Sequence, residues 1–299
     1  MRRLLAVMFV IVLAGCNTTP PPTTDGTSLA AAPAMPLQPI AAPTVATRAF
    51  ASIVVDANSG KILEEDGARS LRYPASLTKM MTLYLLFEAI ETGQLTTRSN
   101  LQVSEEAAGR PPAKLGVKAG TTIDVDTAAR ALAVRSANDV AVVIAENLAG
   151  SEEAFAQKMT QKARALGMMQ TNFHNASGLP DPLQYTTAMD MAILGKALYD
   201  RYPRYVKYFE TEKITYNGRT WTNTNKLLNK VDGVNGIKTG YIRDSGYNLC
   251  TSVQRGGKHV IACVFGGKSG TSRNRRMEEL IESNMPQASG GGLFGGSLF

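Results

Sequence analysis

Pro74-Ala75-Ser76-Leu77-Thr78-Lys79 opens an apolar run from Met80 to Ile90 that stops at Thr92-Gly93. A run of that length, bounded by proline and glycine, predicts a buried helix with Ser76 in its first turn. Residues three apart share a helix face, so the Lys79 amine can reach the Ser76 hydroxyl. A serine hydroxyl is a poor nucleophile until a base takes its proton. Burial and the positive end of the helix dipole both lower a lysine pKa, which would leave Lys79 partly neutral and fit to be that base. Alone, an S-x-x-K is more often a capping serine followed by a lysine whose stem lies along apolar surface. Residues far downstream decide between the two.

Two further short motifs stand downstream in order, Ser136-Ala137-Asn138 and Lys238-Thr239-Gly240. A second S-x-N, Ser272-Arg273-Asn274, comes after the K-T-G and so breaks the order. Taken together and in order, the first three match the set used by penicillin-binding proteins and serine β-lactamases. Tyr185-Thr186-Thr187-Ala188-Met189-Asp190-Met191-Ala192, Asn223-Thr224-Asn225-Lys226-Leu227-Leu228 and Gly236-Ile237-Lys238-Thr239-Gly240-Tyr241 narrow the match. From about Arg48 to Asn284 the chain resembles the serine D-Ala-D-Ala carboxypeptidases, the low-molecular-mass penicillin-binding proteins of DacA/DacF type. Two departures are Gln184, where many members carry His, and Ser177-Gly178-Leu179 in place of His-Gly-Leu. They touch none of the three motifs, so they bear on substrate preference rather than on reaction type.

The resemblance implies an α+β, transpeptidase-like fold: an antiparallel five-stranded sheet packed with helices, plus a mostly helical lobe. It also implies roles. Ser76 attacks the carbonyl between two terminal D-alanines and Lys79 takes its proton. Ser136 relays a proton to the leaving amine, and Lys238 keeps the site electropositive. Asn138 binds the substrate amide and helps position Lys79, Thr239 offers a hydroxyl to the substrate carboxylate, and Gly240 lets an extended peptide lie along the strand edge. The backbone N–H groups of Ser76 and Tyr241 form the implied oxyanion hole. Arg273 stands where the family carries a carboxylate-binding arginine; a guanidinium fork suits that task, although a solvated arginine in Arg-Asn-Arg-Arg is the plainer alternative.

Three rivals keep parts of this chemistry. A class A β-lactamase needs a glutamate to activate water some way beyond the S-x-N, and no Asp or Glu lies between Glu153 and Asp181. A lipoprotein that only binds cell-wall peptide would have no reason to keep Ser76, Lys79, Ser136 and Lys238. A D,D-endopeptidase cutting cross-links attacks the same D-Ala carbonyl and is not distinguishable at this level.

Composition sets the frame. The 299 residues, 44% hydrophobic, are enough for a full-sized core. A net charge of +7 suits an anionic partner. The basic residues are scattered apart from Arg273, Arg275 and Arg276, and no aromatic-basic stripe points to nucleic acid. With only His174 and His259, a histidine-rich zinc site is implausible, and neither a metal nor a cofactor is called for. Met1 to Gly15 has a basic start and an apolar stretch too short to span a bilayer, the form of an export signal. Leu13-Ala14-Gly15-Cys16 resembles a bacterial lipobox, which implies acylation of Cys16 and a lipid anchor on the periplasmic side of a membrane. Residues 16–47, rich in Pro, Thr and Ala, predict a tether. A catalytic domain over 48–285 and a Gly-rich mobile tail over 286–299 complete the expected organisation.

Within 48–285, Ala49–Asp56 and Lys61–Glu65 predict a hairpin around Ala57-Asn58-Ser59-Gly60. Helices are expected over Asp124–Arg135, Asp139–Leu148, Glu152–Leu166, Thr187–Tyr199 and Met277–Asn284. The lobe is placed at Ala107–Leu183, with the site between lobe and sheet. Asn217-Gly218 predicts a tight turn between Lys213–Tyr216 and Arg219–Thr222. A second such turn at Gly256-Gly257 sets the register of Tyr247–Gln254 against His259–Phe265, bringing Cys250 opposite Cys263 as a close pair. Two buried thiols side by side are the plainer expectation there, with a disulfide possible in an oxidising compartment.

Overall fold

The structure, a computed structural model, describes residues 46–291. The export signal, Cys16, nearly all of the tether and the last eight residues lie outside the described residues. In chain order the elements are β1 (Ala51–Asp56), β2 (Ile62–Asp66), α1 (Lys79–Glu91), β3 (Asn100–Gln102), α2 (Glu105–Gly109), β4 (Thr122–Asp124) and α3 (Val125–Arg130). They continue with α4 (Asn138–Ala149), α5 (Glu152–Ala165), α6 (Ala188–Arg201), α7 (Val206–Glu210), β5 (Lys213–Tyr216) and β6 (Arg219–Thr222). The last are β7 (Val234–Ile242), β8 (Gly246–Arg255), β9 (Lys258–Gly267) and α8 (Gly270–Asn284).

Five strands form one antiparallel sheet in the order β2-β1-β9-β8-β7, so the N-terminal hairpin joins the C-terminal strands through the β1–β9 pair. Strand alternation divides two cores. Ile53, Cys263 and Phe265 point into the larger core with α1, α4 and α6, while Val54, Ala262 and Val264 meet Met277, Leu280 and Ile281 of α8. The lobe elements from β3 to α5 sit between α1 and α6 in sequence and share the larger core through Leu132, Val140, Ile144 and Phe155. Burial of that many aliphatic side chains, at roughly 25 cal/mol per Å² of apolar area, is the main force holding lobe to sheet.

The turn chemistry behaves as expected. Asn217 and Gly218 have φ of 46° and 73°, and Gly256 and Gly257 have φ of 53° and 78°. The second turn pairs Arg255 with Lys258 and Cys250 with Cys263. Their Cα atoms are 4.1 Å apart, and they are joined as a disulfide rather than left as two thiols.

Three expectations need correction. Ser76 is not in an α-helical turn: Ala75–Thr78 is a 3-10 turn, preceded by Pro74 and entered through Ala75 at φ 49°, and the α-helix starts at Lys79. The final helix begins at Gly270, not Met277. Its first two turns have no apolar period to read, but Ser269 caps them through Ser272 in a reciprocal pair of bonds. The tail is docked as far as residue 291. Asp56 accepts from the backbone N and the hydroxyl of Ser289 at 3.0 and 2.6 Å, and Gly291 N donates to the Gly257 carbonyl at 2.7 Å. Hydrogen bonds of this kind hold Asp56 down to a pKa of about 2 despite partial burial.

Candidate active site

The 3-10 turn places residues three apart in eclipse, so Ser76 and Lys79 meet more directly than on an α-helix. Lys79 Nζ lies 3.2 Å from Ser76 Oγ and is fully buried at the head of α1. It also donates to Asn138 Oδ1 at 2.8 Å and to the Ser177 carbonyl. Burial, with the positive charge of Lys238 nearby, holds the Lys79 amine well below the ordinary lysine range; Glu152 and Asp139 pull weakly the other way. A lysine in that state can accept the hydroxyl proton of Ser76.

Ser136 ends a π-helical turn, Ala131–Arg135, in the left-handed conformation (φ 60°, ψ 40°), an uncommon backbone for a serine. That kink lets α4 start again at Asn138. The Ser136 hydroxyl is buried with no hydrogen-bond partner among the described residues. An orphaned buried hydroxyl costs free energy, a feature found at sites where a ligand supplies the missing partner. Asn138 is fixed on three sides: its N–H donates to the Ala113 carbonyl at 2.7 Å, its Nδ2 to the Pro111 carbonyl at 3.2 Å, and its Oδ1 accepts from Lys79. Asp139 behind it collects the N–H groups of Leu115, Gly116 and Val117, which holds the 111–117 loop against α4.

β7 closes the other side. It is the edge strand, and Gly240 lies so near the Ser76 turn that a Cβ there would come 3.0 Å from the Pro74 carbonyl and 3.2 Å from Ser76 N. Close approach of two backbones therefore favours glycine at 240, since a Cβ there would require the Ser76 turn to shift by a few tenths of an ångström. Lys238 is fully buried and donates to the Thr239 carbonyl at 3.0 Å; burial first, and Arg273 second, push its pKa down to about 7. Thr239 Oγ1 donates to Thr224 Oγ1 at 2.7 Å. Tyr241 is 53% exposed, with its ring 4.4 Å from that of Tyr247.

Arg273 is buried, not solvated. Its Nη1 donates to the Asn248 carbonyl at 2.9 Å, and its Nε and Nη2 grip Asn274 Oδ1 at 3.0 and 2.7 Å. Burial lowers it to about 10. The fork edge is thus already engaged within α8, so Arg273 faces the site as a held positive charge more than as an open fork. Of the remaining predicted site residues, Cys16 lies outside the described residues.

Several supporting groups had no motif to announce them. Asn248 Nδ2 donates to the Tyr73 and Pro74 carbonyls while its Oδ1 accepts from Gly266 N, tying the Ser76 turn to β8 and β9. Gln184, one of the two departures, organises the 174–184 loop: its Oε1 accepts from His174 N and Asn175 N at 3.1 and 3.2 Å. Neither histidine enters the cluster. His174 pairs with Asp181 at 2.7 Å, and buried His259 meets Ser252 at 2.8 Å.

Ser76 with its buried lysine, the asparagine of a kinked S-x-N and the glycine of an edge-strand K-T-G meet around the turn at residues 74–79, and comparison with known proteins bears on what that means. The family model for peptidase S11, D-alanyl-D-alanine carboxypeptidase, matches residues 38–269. The chain belongs to that family. This S11 member is 33% identical over 243 residues to the D-alanyl-D-alanine carboxypeptidase DacF of Bacillus subtilis, covering 80% of the chain and 62% of DacF. It spans about 60% of the length of DacF and of the Escherichia coli DacA. Among solved structures, penicillin binding protein 5 from Haemophilus influenzae superposes with a TM-score of 0.77 at 31% identity, over 83% of this chain and 73% of that one. Penicillin-Binding Protein D2 from Listeria monocytogenes, in its cefotaxime-bound form, gives 0.72 at 30% identity over 81% and 98%. The five-stranded sheet with its helices is accordingly the penicillin-binding-protein fold expected of the S11 family.

Proposed function

We propose that this chain is a serine D-Ala-D-Ala carboxypeptidase that trims peptidoglycan stem peptides and is acylated by β-lactams. The observation that carries the reading is the buried, charge-crowded Lys79 amine in hydrogen-bond contact with Ser76 Oγ. Ser76 Oγ attacks the penultimate D-Ala carbonyl as its proton passes to Lys79 Nζ. The N–H groups of Ser76 and Tyr241 receive the developing oxyanion. Collapse breaks the C–N bond, and Ser136 passes a proton to the departing D-Ala amine. Water then hydrolyses the Ser76 ester, with the proton returning through the same groups. Asn138 holds Lys79 and the substrate amide, while Thr239 and the positive charges of Lys238 and Arg273 receive the terminal carboxylate. Every step is carried by side chains and backbone N–H groups, so the reaction needs neither metal nor cofactor.

The same reading places the domain outside the cytoplasm, tethered through a lipid on Cys16. Among the described residues no helix is long and apolar enough to cross a membrane. The test is mass spectrometry of the purified protein with a D-Ala-D-Ala pentapeptide, a cross-linked dimer and benzylpenicillin in parallel. Loss of D-Ala from the pentapeptide and a penicilloyl adduct on the Ser76 tryptic peptide are expected. An adduct elsewhere, or none, would refute the mechanism. Intact mass of the membrane-extracted protein checks the diacylated Cys16, and a soluble, unmodified product would refute the anchor.

A further inference from the structure

Lys79 Nζ has three partners, and only one of them is the nucleophile. The other two, the Asn138 side chain and the Ser177 carbonyl, belong to different segments of the chain. Both are linked to one buried carboxylate, Glu152, 7% exposed at the start of α5: the Ser177 carbonyl through the neighbouring Ala176, and Asn138 through the Arg110-Pro111 segment. Glu152 Oε1 accepts the N–H of Ala176 at 2.9 Å, immediately before Ser177. The carbonyl of Ala176 accepts from Thr82 Oγ1 of α1 at 2.7 Å, so that residue is pinned through both its N–H and its carbonyl. Glu152 Oε2 pairs with Arg110. The next residue, Pro111, presents the carbonyl that receives Asn138 Nδ2 at 3.2 Å.

An acid at a helix N-terminus ordinarily sits in water and interacts with the dipole. Glu153, its exposed neighbour, is placed for that role. Glu152 is instead withdrawn from solvent and spends both oxygens on other segments. A carboxylate so buried needs such partners to be tolerated at all. We infer that Glu152 is a positioning residue for acyl transfer: its carboxylate fastens the segment that presents the Ser177 carbonyl to the Lys79 amine and the 110–111 segment whose carbonyl orients the Asn138 amide against it. The inference rests on the roles proposed above for Ser76 and Lys79.

The same carboxylate bears on pH dependence. Burial raises the Glu152 pKa; where ionised, the carboxylate places negative charge toward Lys79 and favours its ammonium form, as does Asp139, while Lys238 opposes. Arg110, Glu106, Glu153 and, beyond Glu153, His174 are the other charged or titratable groups around Glu152. Replacing the carboxylate by an amide removes one anion and leaves Arg110 paired with the exposed Glu106 alone. Both changes disfavour the ammonium, so Lys79 stays neutral to lower pH.

The experiment is the second-order rate of benzylpenicillin acylation of the full mature chain across pH, with adducts mapped to Ser76 and thermal melts recorded. Glu152→Gln keeps an oxygen for the Ala176 N–H; it should acylate within about threefold of wild type on the plateau, with the acid limb displaced to lower pH. Glu152→Ala should lose about 5- to 30-fold, the factor equivalent to one or two kcal/mol of lost hydrogen bonding. An acid limb unmoved in Glu152→Gln, or a Glu152→Ala rate within about twofold of wild type, would overturn the inference. If Glu152→Ala does not fold, the limb of Glu152→Gln decides alone. Wild type that fails to acylate at Ser76 would overturn the acyl-transfer reading and this inference together; wild type that acylates, with variants unchanged, overturns only this one.

Discussion

Gly178 offers the sharpest test of how the site is held. Its φ is +84°, its N–H donates to Asn175 Oδ1 at 2.7 Å, and its Cα faces the turn that carries Ser76. In Gly178→Ala the new Cβ would fall 1.9 Å from the Ala75 carbonyl oxygen, 2.3 Å from its carbon and 2.9 Å from Ser76 N. Cβ contacts under 3.0 Å essentially do not occur, and the obstacle is backbone, so the 177–179 loop must retreat by roughly an ångström. The carbonyl on Lys79 Nζ is only one residue earlier, at Ser177. Misplacement of about 1 Å can cost on the order of 100-fold in rate, so acylation should fall by about that factor. Strain must be separated from collision, because alanine in the left-handed region costs about 1–2 kcal/mol by itself. Gly150 and Gly167 supply the control: their φ values are +83° and +87°, and nothing lies within 4 Å of a Cβ at either. Gly150→Ala and Gly167→Ala should lose comparable stability in thermal melts yet acylate as wild type in a fluorescent-penicillin assay. If Gly178→Ala labels within about threefold of those controls, the loop does not hold Lys79 through the Ser177 carbonyl.

Lys238→Met should abolish D-Ala release while raising the melting temperature at pH 6. With a folded pKa near 7 against 10.5 when solvated, Lys238 is charged in both states below pH 7 and its burial cost is then greatest; between 7 and 10.5 the unfolded chain binds more protons, so stability rises with pH and the gain from methionine shrinks. A gain that instead grows between pH 6 and pH 9 would contradict that sign. The Cys250–Cys263 disulfide closes a loop of sequence separation 13, worth about 3 kcal/mol by the loop-entropy model. Reduced protein or the Cys250→Ala, Cys263→Ala double variant should unfold at lower urea, and coincident midpoints for oxidised and reduced protein would show that the bond adds nothing.

What was readable in the sequence is what side chains announce locally. Asn217-Gly218 and Gly256-Gly257 admit few backbones but tight hairpin turns, and the second carried the register out to Cys250 and Cys263. Ser76, Lys79 and Lys238 were legible because their types and order are unusual together. The groups that were missed act through the backbone or across long separations. The Ser177 carbonyl is a property every residue has, so nothing in the letter S at 177 marks it. Glu152 and Ala176 are joined only because α5 and the 174–184 loop return to the same place. For Arg273 the family position suggested a carboxylate-binding fork, but its actual partners were hidden, since the Asn248 carbonyl that receives its Nη1 lies on β8, far from α8 in sequence. The helix start at Gly270 was hidden for a different reason: Ser269 and Ser272 cap it with hydroxyls, where the readable capping pattern carries a glutamate.

The electrostatics of the cleft have an order that the motifs alone do not express. Arg273 is lowered only to about 10 and stays charged, Lys238 to about 7 with Arg273 adding to burial, and Lys79 is driven well below its usual range with Lys238 adding to burial. Each cation makes the next harder to protonate, and the series ends at the amine in contact with Ser76. Positive charge is thereby kept at the end of the cleft assigned to the substrate carboxylate, and a neutral base is kept at the nucleophile. A carboxylate arriving beside Lys238 and Arg273 would draw a proton onto Lys238, because an opposite charge favours the charged form. The ammonium so formed offsets the arriving anion, which alone would favour a charged Lys79. Under the proposed function, a substrate carboxylate can therefore dock beside Lys238 and Arg273 without returning a proton to the base that attacks its carbonyl, and without any movement of the chain.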